Sequence, residues 1–195
     1  DLPDLPQGWV WATVDQLTSH ITSGSRDWKP YYDRGDSVFI LAGNVRPRRL
    51  DLSEVQNVDP PEGDRDAARS AVSKDDLLIT IVGANTGDLC RVPQDLERHY
   101  VCQSVALMRP VAPGMSIYLE AYLSSEGAGR TQMEKHIYGA GRPHLSFEQL
   151  RELVVPLPPA AEQAEIVSRV EEALSRADAA ETTLAAQTRA ARALK

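Results

Sequence analysis

From Ala161 to the end of the chain, apolar and small residues recur every seven positions. The repeat runs Ile166, Val170, Ala173, Ala177, Ala180, Leu184, Gln187, Ala191 and Leu194, in alternating steps of four and three. That is coiled-coil spacing, and no Gly or Pro interrupts it, so it predicts one long helix over 159–195. Most seam residues are alanine. A partner backbone can approach closely, but burial of one Ala stabilises far less than the roughly 1.5–3 kcal/mol of a Leu or Ile. The pairing therefore needs a long contact, and a lone amphipathic helix lying on its own domain is the simpler alternative.

Upstream the period changes. Pro3 to Trp11 is too proline-rich for a helix and sets Trp9 and Trp11 at strand spacing on one face, where they are expected to anchor the chain to the core. Thr13 to His20 predicts a short helix with Val14 and Leu17 inward, followed by a polar loop from Ile21 to Pro30. Val38 to Leu41 reads as a strand, and Asp51 to Arg69, with Pro60, Pro61 and Gly63, as a solvated acidic excursion. Leu77 to Val82 reads as a buried strand after a turn at Asp75-Asp76 and before a stop at Gly83 to Gly87. Shorter strands are expected over 88–92 and 101–108, and a helical pattern from Ile117 to Ser125. A loop with Gly139, Gly141 and Pro143 then leads to a short helix at Ser146 to Arg151, with Ser146 as N-cap. The expected class is α+β: a strand-rich domain over 1–158 and an extended helical arm over 159–195.

At 195 residues and 42% hydrophobic content, one sizeable core is expected. No apolar run approaches a membrane span, and no signal segment opens the chain, so a soluble, cytoplasmic protein is expected. Asp1 at the start and a helix still running at Lys195 suggest a fragment of a longer chain. Cys90 and Cys102 lack companions at metal spacing and read as buried thiols of a reducing compartment. The net charge of −7 opposes polyanion binding until its distribution is considered. Residues 20–50 hold six basic against three acidic side chains, and 128–144 hold three against one. Residues 51–76 hold three against eight. Two basic islands thus stand in an acidic chain, able to aim one face at a polyanion.

Catalytic patterns are missing. Adjacent Asp75 and Asp76 point to opposite faces of an extended chain, which does not suit paired acid and base. Gly83 to Gly87 lacks the Lys-Ser/Thr ending of a phosphate-cradling loop. His20, His99, His136 and His144 show neither metal spacing nor a nucleophile partner, so no metal, cofactor or catalytic residue is expected. Three loop groups instead combine phosphate ligands with side chains suited to base edges. The first is Ser23, Ser25, Arg26, Lys29, Tyr31 and Tyr32; the second Asn44, Arg46, Arg48 and Arg49; the third Arg130, Lys135, Tyr138, Arg142 and His144, with Asn85 between. Arg can bridge guanine and Asn adenine, each for about 1–3 kcal/mol of discrimination.

Leu5-Pro-Gln-Gly-Trp-Val-Trp11, Asp75-Asp-Leu-Leu-Ile-Thr-Ile-Val-Gly-Ala-Asn-Thr-Gly87 and Gly141-Arg-Pro-His-Leu-Ser-Phe-Glu-Gln-Leu150 occur in that order. They lead into Val155-Pro-Leu-Pro-Pro159 and Glu162-Gln163. Together they resemble the specificity subunit of type I restriction–modification systems over nearly the whole chain, the Pro-Leu-Pro-Pro-x-x-Glu-Gln opening of the long helix being the most specific part. The resemblance implies a DNA target-recognition domain and one spacer helix, half of a subunit that carries two of each with the helices paired antiparallel. It implies partners: double-stranded DNA, adenine-methylating modification subunits docked on the helices, motor-nuclease subunits, and a second recognition half or a second copy of this chain. It implies no catalysis by the subunit itself. Recognition loops vary in this family, so the candidate DNA residues rest on their own chemistry. A coiled-coil adaptor that binds no nucleic acid is the alternative, and convergence of the basic islands on one face is what separates the two.

Overall fold

The computed structural model describes residues 2–112 and 114–193. Along the chain run β1 (Val10–Thr13), α1 (Val14–Leu17), β2 (Thr18–Ser23), a 3-10 turn (Lys29–Tyr31), β3 (Tyr32–Ile40), β4 (Val45–Arg46), β5 (Arg49–Leu50) and β6 (Gln56–Val58). There follow α2 (Arg65–Ser70), β7 (Leu77–Thr80), β8 (Leu89–Arg91), β9 (His99–Val101), β10 (Val105–Pro110), α3 (Met115–Leu123), α4 (Gly129–His136), α5 (Phe147–Glu152), β11 (Val154–Leu157) and α6 (Ala160–Ala193). Two compact units divide between Leu157 and Pro158. The first is a mixed α/β unit rich in strands, and the second is α6.

All four residues of β7 are buried, as the unbroken run Leu-Leu-Ile-Thr requires of a strand covered on both faces. It lies inside a four-stranded antiparallel sheet of order β2-β10-β7-β8. Leu78, Cys90, Val105 and Leu107 of this sheet join Trp28, Phe39, Ile40 and Val101 in one apolar cluster. Phe39, Ile40 and Val101 belong to a second sheet, β6-β3-β9, in which β3 and β9 run parallel with Phe39 opposite Tyr100. The pairing of β3 with β6 is broken between Tyr32 and Ser37, where Asp33 (φ 60°) and Gly35 (φ 65°) turn left-handed and bend the strand. β1 pairs antiparallel with β11, Val10 opposite Leu157, and α3 lies along β8 and β10.

Registers define two ends of the four-stranded sheet. Ser23 is opposite Ala106, Val105 opposite Thr80, and Ile79 opposite Leu89, so β2, β7 and β8 meet their loops at one shared end. At the far end, β7 begins and β10 finishes, and the predicted turn at Asp75-Asp76 is present with Asp75 at φ 68°. There Asp76 is buried and takes both arms of Arg109, Nε at 2.8 Å and Nη2 at 2.7 Å. Arg91 Nη1 donates to Asp75 at 2.8 Å beside it.

Several expectations are corrected. Only one turn of the helix expected over Thr13–His20 forms, closed by a capping box between Thr13 and Gln16, because Thr18 to Ser23 alternates as a strand on β10. Trp9 and Trp11 are half-buried rather than core, and Trp28, read as loop, is the tryptophan buried against Phe39 and Tyr100. The acidic stretch is no mere excursion: it holds β6, whose Val58 is fully buried, and α2, capped by Asp64. The strand expected over 101–108 is two strands in two sheets, because the chain turns at Cys102–Ser104. Arg130 and Lys135, read as loop residues, sit on α4. Its glycine start masks the helix, yet Gly129 is required because a Cβ there falls 2.5 Å from the Leu123 Cα.

α6 starts where two prolines cannot continue a strand; Gln163 N donates to Pro159 O at 3.0 Å and its side chain to Pro158 O at 2.8 Å. Its Ala-rich body is stiffened by Glu165–Arg169 (2.6 Å) and Glu172–Arg176 (2.7 Å), each with the acid four residues N-terminal. Ile166, Val170, Ala173, Ala177, Ala180 and Leu184 are all helical, and none is buried within the chain. Leu194, and the side chain of Ala191, lie outside the described residues. Among those residues no helix is long and apolar enough to cross a membrane.

Candidate nucleic-acid interface

The loop between β7 and β8 closes on itself at the shared end. Gly83 (φ 118°) and Gly87 (φ 93°) make the reversals, Thr86 Oγ1 donates to Gly83 O at 2.7 Å, and Asp88 N donates to Asn85 O at 2.9 Å. This leaves Asn85 half-buried at the tip. Pro143 O accepts from both Gly83 N (3.0 Å) and Thr86 Oγ1 (3.1 Å), which ties the loop to the segment 138–144.

That segment is a small hairpin. Tyr138 and His144 exchange backbone hydrogen bonds of 3.1 and 2.8 Å, and their rings meet edge-on at 5.2 Å. Gly139 must be glycine, since it stands at φ 91° and a Cβ there lies 2.7 Å from Arg142 O. Tyr138 is 54% exposed and Arg142 is exposed, so the hairpin offers an aromatic face and a guanidinium to solvent.

α4 stands behind this loop pair. The Arg130 guanidinium lies over Gly87, where a Cβ would meet Nη1 at 3.2 Å, and it contacts Asp88 (3.4 Å) and Glu134 (2.9 Å). Lys135, one turn on, is exposed.

The β4–β5 hairpin reaches β8 from another side. Pro47 fixes a negative φ and Arg48 takes φ 58°, the sign pattern of a type II turn that normally asks for glycine at the second place. Arg48 is held there because its N–H donates to Leu89 O at 2.8 Å and its Nη2 lies 3.5 Å from Glu120 Oε2. Burial pushes the Glu120 carboxyl up, opposed by the Arg91 N–H at 2.8 Å and by the Arg48 and Arg91 charges. Arg46 and Arg49 face outward on the two strands. Asn44 is buried: Oδ1 accepts from Leu41 N (2.9 Å) and Nδ2 donates to Asp51 O (2.8 Å) and Glu54 O (2.7 Å). Its amide is engaged in shaping the hairpin base, beside a cleft of about 370 Å³ lined by Leu41, Arg46, Asp51 and Val55.

The first group lies apart. It leaves β2, at the sheet edge opposite β8, though at the same end. Ser25 is buried, its Oγ accepting from Asp27 N at 3.1 Å, while Arg26 and Lys29 are exposed and Tyr31 half-buried. Ser23, half-buried, is the last residue of β2, and Tyr32, half-buried, packs against Phe39 with ring centroids 5.6 Å apart.

Sequence reasoning missed Arg69, on α2. It donates to Thr22 Oγ1 (2.7 Å), Ser23 O and Gly24 O, and pairs with Asp66 (2.8 Å), clamping the start of this loop. The Arg69 and Ser25 hydrogen bonds hold the Asp66 carboxyl below its ordinary value. Its spacing of three from Asp66 was the available signal. Thus the elements that carry Asn85, Arg130, Tyr138, Arg142 and His144, and those that carry Arg46, Arg48 and Arg49, both meet β8 or the loop that leads into it. Both cysteines are free and buried, with burial the main reason Cys90 is pushed up to about 12. Among the described residues no group of three or more His, Cys, Asp or Glu is placed to hold a metal ion.

Comparison with known proteins places this geometry in context. The model of the type I restriction modification DNA specificity domain matches residues 72–188. Two Escherichia coli relatives are the EcoBI specificity subunit, 32% identical over 73% of this chain, and the EcoKI specificity subunit, 27% identical over 73%. The chain spans only 29% and 31% of those proteins' lengths. Among solved structures, the HsdS subunit from Thermoanaerobacter tengcongensis shares the fold, with a TM-score of 0.64 at 19% identity over 93% of this chain and 41% of that one. So does the type I S subunit from M. genitalium, with a TM-score of 0.54 at 15% identity over 86% of this chain and 40% of that one. With a family match that runs from just before β7 deep into α6, this chain belongs to the type I restriction modification DNA specificity domain family.

Proposed function

We propose that a target-recognition domain over 1–158, the first unit with the proline that follows it, reads one part of a split DNA target as a non-catalytic specificity element. The observation that carries this is the gathering of the second and third basic groups around the start of β8, where Arg48 bonds Leu89 O and Arg130 contacts the adjacent Asp88. A polar, cationic face with one exposed aromatic suits phosphate contact and base-edge reading. Arg46, Arg49, Lys135 and Arg142 serve as phosphate or guanine ligands, with Asn85, Tyr138 and His144 at the base edges. Arg26, Lys29 and Tyr31 extend the track across the sheet end. Arg48, Asn44 and Ser25 reach the DNA less directly, each already bonded within the fold, whereas the contacts of Arg130 with Glu134 and Asp88 are single-armed and leave it partly exposed.

The helix over 159–195 is proposed as a spacer that pairs through Ile166, Val170, Ala173, Ala177, Ala180, Leu184, Ala191 and Leu194. Its partner is a second recognition half or a second copy, and it docks adenine-methylating modification subunits, to which motor-nuclease subunits add. The relatives' description as specificity subunits of type I restriction enzymes supports this reading.

The test is selection of random duplexes on the purified protein at low salt, followed by sequencing. A short enriched motif is expected. Replacing Arg46, Arg49 and Arg142 together by Ala should flatten the slope of log affinity against log salt by roughly 0.9 per lost phosphate contact. No enrichment, or an unchanged slope in the folded triple variant, removes this face from DNA recognition and favours the adaptor.

A further inference from the structure

Arginines at the proposed interface are already occupied. Arg49 Nη2 meets Asp51 at 3.2 Å; Arg130 meets Glu134 at 2.9 Å and Asp88 at 3.4 Å. These are single-armed contacts on side chains still open to water, and Arg49 is 71% exposed. Asp51 is also held in place: Ser53 donates to its Oδ1 through Oγ (2.7 Å) and N (3.1 Å), leaving Oδ2 aimed at Arg49. The Ser53 bonds first, and the Arg49 and Arg46 charges after them, keep this carboxylate ionised.

We propose that Asp51 and Glu134, with Asp88 behind, are specificity-determining residues that act as exchangeable stand-ins for DNA phosphate. The inference rests on the DNA-recognition reading above. In free protein each carboxylate occupies the guanidinium that a phosphate would take. Binding to an arbitrary duplex then swaps one anion for another, with little counterion release gained per arginine. A matching site adds base contacts that exist nowhere else, and these drive the exchange. The carboxylates thus lower affinity for all DNA but lower it most where base contacts are missing. The device suits an acidic chain, because it silences cations locally while leaving their positions fixed.

The experiment compares D51N, E134Q and their combination with wild type, using duplexes enriched by selection and scrambled duplexes. A control, E172Q, removes the same charge from α6, where Glu172 pairs with Arg176 at 2.7 Å. E134Q should steepen the salt slope on scrambled DNA by less than D51N, because Asp88 still contacts Arg130 at 3.4 Å, and D51N should steepen it by about 0.9 for the arginine released. That is worth about 3.5-fold in affinity between about 50 and about 200 mM salt. The ratio of selected to scrambled affinity should fall, and E172Q should change neither.

Unchanged scrambled binding in variants that match wild type in thermal unfolding overturns the proposal alone, as does an equal gain from E172Q. Variants that bind where wild type does not support it. No binding of any duplex by any of the proteins overturns both this inference and the recognition reading.

Discussion

The two ends of the four-stranded sheet use the same pair of residue types differently. At the far end Arg109 and Asp76 meet through two short parallel bonds with the carboxylate buried, and Ser73 Oγ adds a contact at 3.2 Å. At the loop end Arg49 meets Asp51 and Arg130 meets Glu134 through single-armed contacts with accessible carboxylates. Two-armed geometry around a desolvated charge is costly to open, whereas a single exposed contact is worth about 0–1 kcal/mol and exchanges readily. The Arg109–Asp76 pair is therefore a staple, and the Arg49–Asp51 and Arg130–Glu134 pairs are replaceable contacts. The number of arms and the burial of the acid separate them, not composition.

Breaking the staple should have the largest effect. Asp76→Ala strands Arg109 and should cost about 3 kcal/mol, the low end for a buried pair because Arg109 is itself partly exposed. Thermal unfolding should fall by roughly 6–12 °C, while DNA affinity of the remaining folded protein stays unchanged. Asn44→Ala tests the base of the β4–β5 hairpin: three engaged bonds disappear, and about 2–3 kcal/mol of stability should go with them. Chemical denaturation measures it, and a loss below about 1 kcal/mol would return Asn44 to the pool of free base readers. At the loop end the contrast inverts. Tyr138→Ala should weaken binding to a selected duplex by about 5- to 150-fold, read by fluorescence anisotropy, while the lost edge contact with His144 lowers the unfolding temperature by about 1–6 °C.

Acid sharpens the comparison further. Asp66 has a folded pKa below its unfolded one, so its contribution to stability is complete above the ordinary carboxylate range, around pH 4, and fades as pH falls through the lower folded value. Hydrogen exchange at Gly24 and Ser25 should rise there, and Asp66→Asn should remove that dependence. Glu120 has the opposite sign, since acid relieves the cost of its buried charge. The smallest effect is expected from Arg169→Ala on α6, about 0.3–0.5 kcal/mol for one exposed pair four residues apart.

Local signals were legible in the sequence. The unbroken run of β7, the glycine stop after it, the Ser146 cap and the proline-bounded start of α6 all stand where spacing put them. Pairing between distant segments was not. Nothing in Val38 to Ile40 announces a parallel partner at His99 to Val101, and nothing in 99–110 shows that one stretch serves two sheets. The site divides in the same way. Exposed Arg46, Arg142 and Tyr138 declare their chemistry by type. The engagement of Asn44, Arg48 and Ser25 depends on neighbours supplied by tertiary structure: Asp51 O and Glu54 O, Leu89 O and Glu120, and Asp66.

The β1–β11 ribbon has a consequence for inheritance. Val10 lies opposite Leu157, so the chain enters and leaves the first unit on neighbouring strands, with nearly all of its sequence closed into a loop between them. A unit whose two ends emerge side by side can be cut out at one seam and replaced by another of the same width without disturbing what flanks it. Under the proposed function, replacing the stretch between those two strands would exchange a whole reading surface in one step.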